Sequence, residues 1–407
     1  MTLRALPART IVRAIAAAAR RWRDADFAPH AQLAAAVAAR TGYARSAVEY
    51  AFDALFAPMT EAALLSAIAG ELGCVEALDG FVRREGRPAA WAAPIGRVCV
   101  IASRTTIGVA LPAAAFALCA KCEVEVKDRE DGLAAAFFRT LAAELPQLAG
   151  AARARPWSSV EASAQDLASF DAVVAFGRTE TLATVRNACA PQARFVGYGS
   201  RASAGYVCVE TLSDELRAEA IAAGAARDLV LYDSEGCLSL HALFAERGGG
   251  ISPFEFAAML GRAARCATLE FPAAQTDPAI LAARGAARDL AEFRAAAGTG
   301  AAFANDAVDY AILFDPLREA PPLFIPRTLG VIPVEGPAEA LEYLRRHGLE
   351  LEGFALSEAR PDLVRLASDA GAVRLTRFGE LQRPPIGGNH GGRPRVVEFV
   401  RWIDNEL

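Results

Sequence analysis

The stretch LYDSEGCLSLHALF, residues 231–244, sets one thiol, Cys237, directly after a glycine and ahead of a run that reads as a helix. A free thiol has an ordinary pKa of about 8.5 and is mostly protonated at neutral pH. It becomes a nucleophile when a helix N-terminus or a cation stabilises the thiolate. If LSLHALF opens a helix, its first-turn amides face the sulfur. His241, four residues on, then shares a helix face with Cys237 and could trade a proton with it. Taken alone, the residue types also fit a buried structural cysteine and a partly exposed helical histidine. Cys119 and Cys122 form a C-x-x-C, but no second pair and no nearby histidine completes a zinc set, so no metal is expected. His30, His347 and His390 are widely separated in sequence, and no Ser-His-Asp or paired-carboxylate arrangement follows from spacing.

The elements that must carry such a thiol alternate along the chain. RVCVIAS (97–103) is a short apolar run, GVALPAAAFALCA a helix, and EVEVKD (123–128) a second strand. A helix at about 131–145, DAVVAFG (171–177), a helix at about 179–188 and RFVGYG (194–199) continue the pattern. Strand and helix alternating at this spacing predict an α/β fold with a parallel, doubly wound sheet. Before it, residues 1–90 read as an N-terminal helical segment. The nucleotide-binding domain is expected over 91–210 and the domain carrying Cys237 over 211–375. That domain is expected to hold helices at about 213–229, 253–266 and 278–297 and strands in DYAILFD and LGVIPVE. The Gly- and Pro-rich tail, 376–407, is expected to return to the first lobe or to make an oligomer contact.

In a doubly wound sheet a nucleotide binds at the carboxyl ends of the strands, where helix N-termini and loop amides collect phosphate. No G-x-G-x-x-G follows the first strand. Those ends carry instead Ser103, Arg104, Thr105 and Thr106, then Lys127, then Gly177, Arg178 and Thr179. Lys127 could reach a ribose or a phosphate, and Gly177 to Thr179 could bring amides and a cation to a pyrophosphate. Without further support these are equally solvated residues at strand ends.

Composition excludes several classes. The chain has 407 residues, 53% hydrophobic and 22% charged, enough for packed lobes and too evenly mixed for disorder. A formal net charge of −5 supplies no basic field for nucleic acid or anionic lipid. No apolar run reaches the roughly 18 residues of a membrane span, and the N-terminus lacks a secretory layout. The eight cysteines are scattered, as reduced thiols of a cytoplasmic protein would be.

The order of PIGRVCVIASRTT, EVEVKDRED, VVAFGRTET, RFVGYGSRASAGYV, YDSEGCLS and RTLGVIPVEGPAEAL resembles the aldehyde dehydrogenase superfamily. Within it the chain is most similar to the acyl-CoA reductases of the bioluminescence-operon (LuxC) type. The similarity extends through RWRD near the N-terminus to NHGGRPRVVEFVRWID at the end. It implies an aldehyde-dehydrogenase-like fold, with Cys237 as the acyl-accepting nucleophile facing a nicotinamide between two lobes. It also implies NADPH, with NADH as the alternative, at Ser103, Arg104, Lys127, Glu130, Gly177, Arg178, Thr179 and Gly199. In VKDRE, Lys127 and Arg129 suit a 2′-phosphate, whereas Glu130 suits a free 2′-hydroxyl. The implied substrate is a long-chain acyl-CoA or an acylated protein, an acyl-protein synthetase is the usual companion, and a homo-oligomer is expected.

Three departures from the superfamily carry consequences. Dehydrogenating members hold a Glu where this chain has Gly197, so the base that hydrolyses the enzyme thioester is missing, which suits a reductase. The usual Asn after the first strand is replaced by SRTT, leaving Thr106 or Thr105 as the hydroxyl donor to an oxyanion beside the Cys237 amide. Arg327 stands near the position of a Glu that holds the nicotinamide ribose in relatives. A glutamyl-phosphate-reductase-like semialdehyde dehydrogenase is the alternative within this fold, on the resemblance of VIASRTT. A non-catalytic scaffold that binds the synthetase is the alternative outside it.

Overall fold

A computed structural model describes residues 3–103, 105–128, 132–156, 167–273, 277–307 and 309–407. The chain divides into two compact units, one of residues 1–41, 48–200 and 385–407, the other of 42–47 and 201–384.

The first unit begins with helices α1 (Ala8–Trp22), α2 (Ala28–Thr41), α3 (Arg45–Phe56, of which 48–56 belong here) and α4 (Glu61–Leu72). In α1 the apolar positions Ile11, Val12, Ile15 and Trp22 are fully buried, and Trp22 Nε1 donates to Thr140 Oγ1 at 3.0 Å. The stretch read as helical up to residue 90 is not helical throughout. Strands β1 (Val82–Arg84) and β2 (Arg87–Pro94) pair antiparallel, and the C-terminal strand Val400–Asn405 pairs with β2 from Val400↔Pro94 to Asn405↔Ala89. Arg87 to Pro94 is rich in small residues that carry no strand signature, and long-range pairing decides its conformation. The closing segment is anchored by Glu71, whose carboxylate accepts the N–H groups of Arg395, Val396 and Val397 at 2.7, 2.7 and 2.9 Å.

The main sheet of this unit contains β3 (Arg97–Ile101), β4 (Glu123–Asp128), β5 (Ala152–Pro156), β6 (Ala172–Phe176) and β7 (Arg194–Tyr198). All neighbours are parallel, in the spatial order β5-β4-β3-β6-β7. Helices α5 (Ala110–Cys119), α6 (Leu133–Glu144) and α7 (Thr179–Ala188) form the crossovers. Successive strands run outward from β3 in one direction and then, from β6, in the other. The reversal between β3 and β6 is the switch point at which doubly wound sheets bind ligands.

The second unit is a seven-stranded sheet of β8 (Ala202–Val207), β9 (Leu240–Glu246), β10 (Ala301–Ala304), β11 (Ala311–Phe314), β12 (Thr328–Val334), β13 (Leu351–Leu356) and β14 (Arg374–Thr376). Its order is β10-β11-β12-β9-β8-β13-β14, and only the β10–β11 pair is antiparallel. Helices α8 (Glu215–Val230), α9 (Pro253–Glu270), α10 (Pro278–Ala296), α11 (Pro337–Arg346) and α12 (Pro361–Asp369) complete the unit. Helix α9 opens on a capping box, Ser252 with Glu255. Phe244, Tyr206, Phe354, Ile332 and Val334 are among the side chains that fill one layer against the sheet. The run expected as the helix LSLHALF is β9, a central strand buried along its whole length. A short run apolar on both faces carries no period that separates helix from parallel strand. Among the described residues, no single helix is long and apolar enough to cross a membrane.

Candidate active site

In the first unit, the residues expected to hold a cofactor lie at the carboxyl ends of the parallel sheet. Ser103 follows β3, and its hydroxyl lies 3.4 Å from that of Thr105, with Thr106 next in the same half-buried turn. Lys127 is the penultimate residue of β4 and is buried, in register with Ile101. Gly177 follows β6, and its N–H donates to Tyr198 O at 3.1 Å. Arg178 is the N-cap of α7 and its side chain makes no capping bond, so the first-turn amides from Thr179 onward lack the usual N-cap acceptor. Gly199 follows β7, while Gly197 lies within it. Ser103 and Gly177 to Thr179 therefore flank the switch point between β3 and β6. Arg104 and Glu130, together with Arg129, lie outside the described residues.

The same sheet ends carry an aromatic surface that the sequence reading did not single out. Phe176 and Tyr198 stack with centroids 4.9 Å apart and planes at 19°, and His390 meets Tyr198 edge-on at 4.4 Å. Val109, Pro112, Phe176, Tyr198 and His390 border one small pocket. Phe176 and Tyr198 end adjacent strands in register, a cross-strand pair legible only once the strand order is known. Cys119 and Cys122 are buried, and burial pushes their thiols up to about 12 and about 11. No group of three or more metal-ligating side chains forms among the described residues.

In the second unit Cys237 precedes β9 in a loop, so the expected helix N-terminus at the sulfur does not exist. The residue is partly exposed while its thiol is enclosed, and burial first, then the charge of Glu352, pushes the pKa up to about 12. The amides of Cys237 and Leu238 and the cation of Arg201 act in the opposite sense. His241 is not on a shared helix face either. It sits in β9, buried, with Nδ1 lacking a hydrogen-bond partner among the described residues and its ring 4.9 Å from Phe324. Burial lowers its pKa to about 4, so the imidazole is neutral at pH 7.

The loop is posed by strain and clamps. Tyr232, Asp233 and Ser234 are three successive non-glycine residues with φ of 54°, 50° and 59°, a conformation L-residues rarely adopt. Ser234 Oγ donates to Leu229 O at 2.6 Å and accepts from Arg327 N at 3.0 Å. Arg327, buried and itself at φ 56°, places Nε 2.6 Å from Asp233 Oδ1 and Nη2 2.8 Å from Phe271 O. The residue noted for its place near a ribose-binding Glu of relatives thus clamps the loop that leads to the thiol.

Glu352, absent from the sequence reading, is the carboxylate of this loop's surroundings. Its signal is the one charge inside LEGFAL (351–356), an otherwise apolar strand. Asp228 is a second buried acid. It accepts N–H groups from Gly379 and Leu381 at 2.6 and 3.1 Å, in the segment whose Gln382 Nε2 donates to Ser239 Oγ at 3.1 Å. Burial pushes Asp228 up to about 7. A folded pKa above the unfolded one, about 3.9, means the native state holds this proton more tightly. The stabilisation is full below about pH 4 and is lost as pH rises through about 7. Urea unfolding at pH 5 and pH 8 should show Asp228→Asn losing about 2–3 kcal/mol less stability over that interval than the wild type.

Residues 3–402 match the sequence profile of the family described as acyl-CoA reductase (LuxC). Among curated proteins, none matches the sequence. The fold is similar to that of an NAD-dependent benzaldehyde dehydrogenase from Corynebacterium glutamicum, at TM-score 0.73 and 15% identity over 100% of this chain and 87% of that one. It is similar also to the glyceraldehyde-3-phosphate dehydrogenase GapN from Methanocaldococcus jannaschii complexed with NADP (TM-score 0.70, 10% identity, 98% and 90% covered). An aldehyde dehydrogenase from Pseudomonas syringae complexed with NAD+ and octanal gives 0.69 at 17% identity, with 98% and 84% covered.

Proposed function

Because the chain belongs to the LuxC family of acyl-CoA reductases, we propose that Cys237 is the residue on which it carries the acyl group between thioester and aldehyde. Family membership makes the protein an oxidoreductase of acyl thioesters that draws on a nicotinamide cofactor, built on an aldehyde dehydrogenase fold. The observation that supports Cys237 is its setting: a thiol in a clamped, strained loop, with backbone amides directed at its sulfur.

The first unit fits a dinucleotide. The switch point of its sheet, the uncapped N-terminus of α7 and the stacked Phe176–Tyr198 surface offer phosphate amides and a flat apolar face in one place. Ser103, Arg104, Lys127, Glu130, Gly177, Arg178, Thr179 and Gly199 are the residues proposed to hold it. Bound there, a reduced nicotinamide supplies the hydride. The work of the chain itself falls to the thiol. Cys237 attacks the acyl carbonyl, the CoA sulfur leaves, the acyl group stays on Cys237 as a thioester, and the sulfur is released when the aldehyde departs. The Cys237 amide, with Thr106 as the proposed hydroxyl partner, stabilises the oxyanion of the attack.

The proposed cofactor is NADPH rather than NADH, from Lys127 and Arg129, with Glu130 opposing them. The proposed acyl donor is a long-chain acyl-CoA or an acylated protein delivered by a synthetase partner, to a cytoplasmic homo-oligomer. Incubating the protein with long-chain acyl-CoA and each reduced cofactor tests this reading. Aldehyde should appear, faster with NADPH. A preference of tenfold or more for NADH would reverse the cofactor assignment, and no aldehyde with either, alongside tight synthetase binding, would favour the scaffold.

A further inference from the structure

Strand β8 meets two irregularities at one level. On one side Leu351 pairs with Ala202 and Gly353 with Ser203, so Glu352 is an extra residue in β13. On the other side Ser203 pairs with Leu240 and Ala204 with Ala242, so His241 is an extra residue in β9. Bulges are rare in parallel pairs, and they serve to re-aim a side chain. Ser203, 1% exposed, joins the bulge to the nucleophile's loop: its Oγ accepts the Gly353 N–H at 3.0 Å and donates to Cys237 O at 2.9 Å. Two hydrogen bonds through one hydroxyl therefore fix the backbone beside Glu352 to that of Cys237.

Glu352 is 7% exposed, with Oε2 lying 3.6 Å from Arg201 Nη1. Arg374 of β14, in register with Gly353, and Cys237 are both close enough to feel its charge. Burying an ionised carboxylate is costly even with a cation beside it. The thiol meanwhile has almost no thiolate at neutral pH, so its attack requires a proton acceptor at the moment of bond formation.

We propose that Glu352 is that acceptor, taking the proton of Cys237 as the sulfur attacks the acyl thioester and returning it to the departing CoA sulfur. The inference rests on the reading of Cys237 as nucleophile. The S–H bond breaks toward a Glu352 oxygen, the sulfur–carbon bond forms, and the carbonyl π pair moves to oxygen. When that pair returns, the carbon–sulfur bond to CoA breaks, the leaving thiolate takes the proton from Glu352, and the carboxylate is restored. The charge of Arg201 lies beside the restored carboxylate.

The test separates basicity from charge. In Glu352→Gln, acylation of Cys237 by acyl-CoA without reductant, followed by intact-protein mass spectrometry, should slow by about 100-fold or more. Alkylation of Cys237 by iodoacetamide should hold or quicken, because the charge that raised the thiol pKa is gone. In the wild type, acylation should stay flat from pH 7 to 9 while alkylation rises steeply, a measurement that needs no variant to fold. Unchanged acylation in Glu352→Gln, acylation and alkylation falling together, or wild-type acylation climbing in step with alkylation would each overturn the proposal. An adduct mapped to Cys237 with any of those results leaves the nucleophile standing, whereas an adduct on another cysteine removes both.

Discussion

Cys237→Ala should abolish aldehyde formation while leaving cofactor binding almost unchanged. The substitution removes one sulfur from a loop whose shape is set elsewhere, by Arg327 on Asp233, by Ser234 on Leu229 and by Ser203 on the Cys237 carbonyl. None of those bonds uses the thiol, so the variant should fold with the wild-type loop. The proposed cofactor residues belong to the first unit and Cys237 to the second, which is why the two properties should separate. Loss of a covalent nucleophile typically costs 10⁴-fold or more, far beyond any packing effect of one sulfur. Intact-protein mass spectrometry of the wild type with acyl-CoA and no reductant should show one acyl adduct, mapping to Cys237. Full activity in the variant, or an adduct on any of the other seven cysteines, would remove the assignment.

The parts of this fold that were legible in the sequence are those where a strand ends in a turn signal and a helix of ten residues or more follows. EVEVKD and the helix at 179–188 lie where the spacing puts them, because a βαβ unit alternates two different periods. The second unit was harder to read. LSLHALF is apolar on both faces, as a central parallel strand must be, and neighbouring strands about 40 and 90 residues away decide its conformation. That one misreading removed the helix amides from Cys237 and brought in a strained turn, which no propensity forecasts for Tyr232, Asp233 and Ser234. Glu352 escaped for a related reason. The second acid of LELEGFAL reads as a solvated edge until the register shows it to be the extra residue of a bulge. Arg327 stands out in the sequence only as a departure from the superfamily pattern, and its contacts with Asp233 and Phe271 were not legible there.

Without reductant, the acyl-enzyme should release free acid slowly, at least about 100-fold below the rate of aldehyde formation when reductant is present. The expectation begins with Gly197, which the sequence resemblance sets where dehydrogenating relatives carry the water-activating Glu. A Cβ added at Gly197 would meet Phe195 Cε1 at 2.8 Å and Leu182 Cδ1 at 3.3 Å, so apolar side chains fill the space. Two groups in the second unit remain as substitutes. His241 is a weak base, lowered to about 4 by burial, with its ring against Phe324. Glu352 is the other, but at 7% exposure and beside Arg201 it leaves little room for an attacking water. A thiol proton reaches it without a water having to enter, so one carboxylate can serve acyl transfer and still spare the thioester. Free-acid release from labelled acyl-CoA, measured over several half-lives of the adduct, decides the matter. Release as fast as aldehyde production would show that water is being activated. Slower decay of the preformed acyl adduct in Glu352→Gln, with His241→Ala unaffected, would then assign that activation to the bulge.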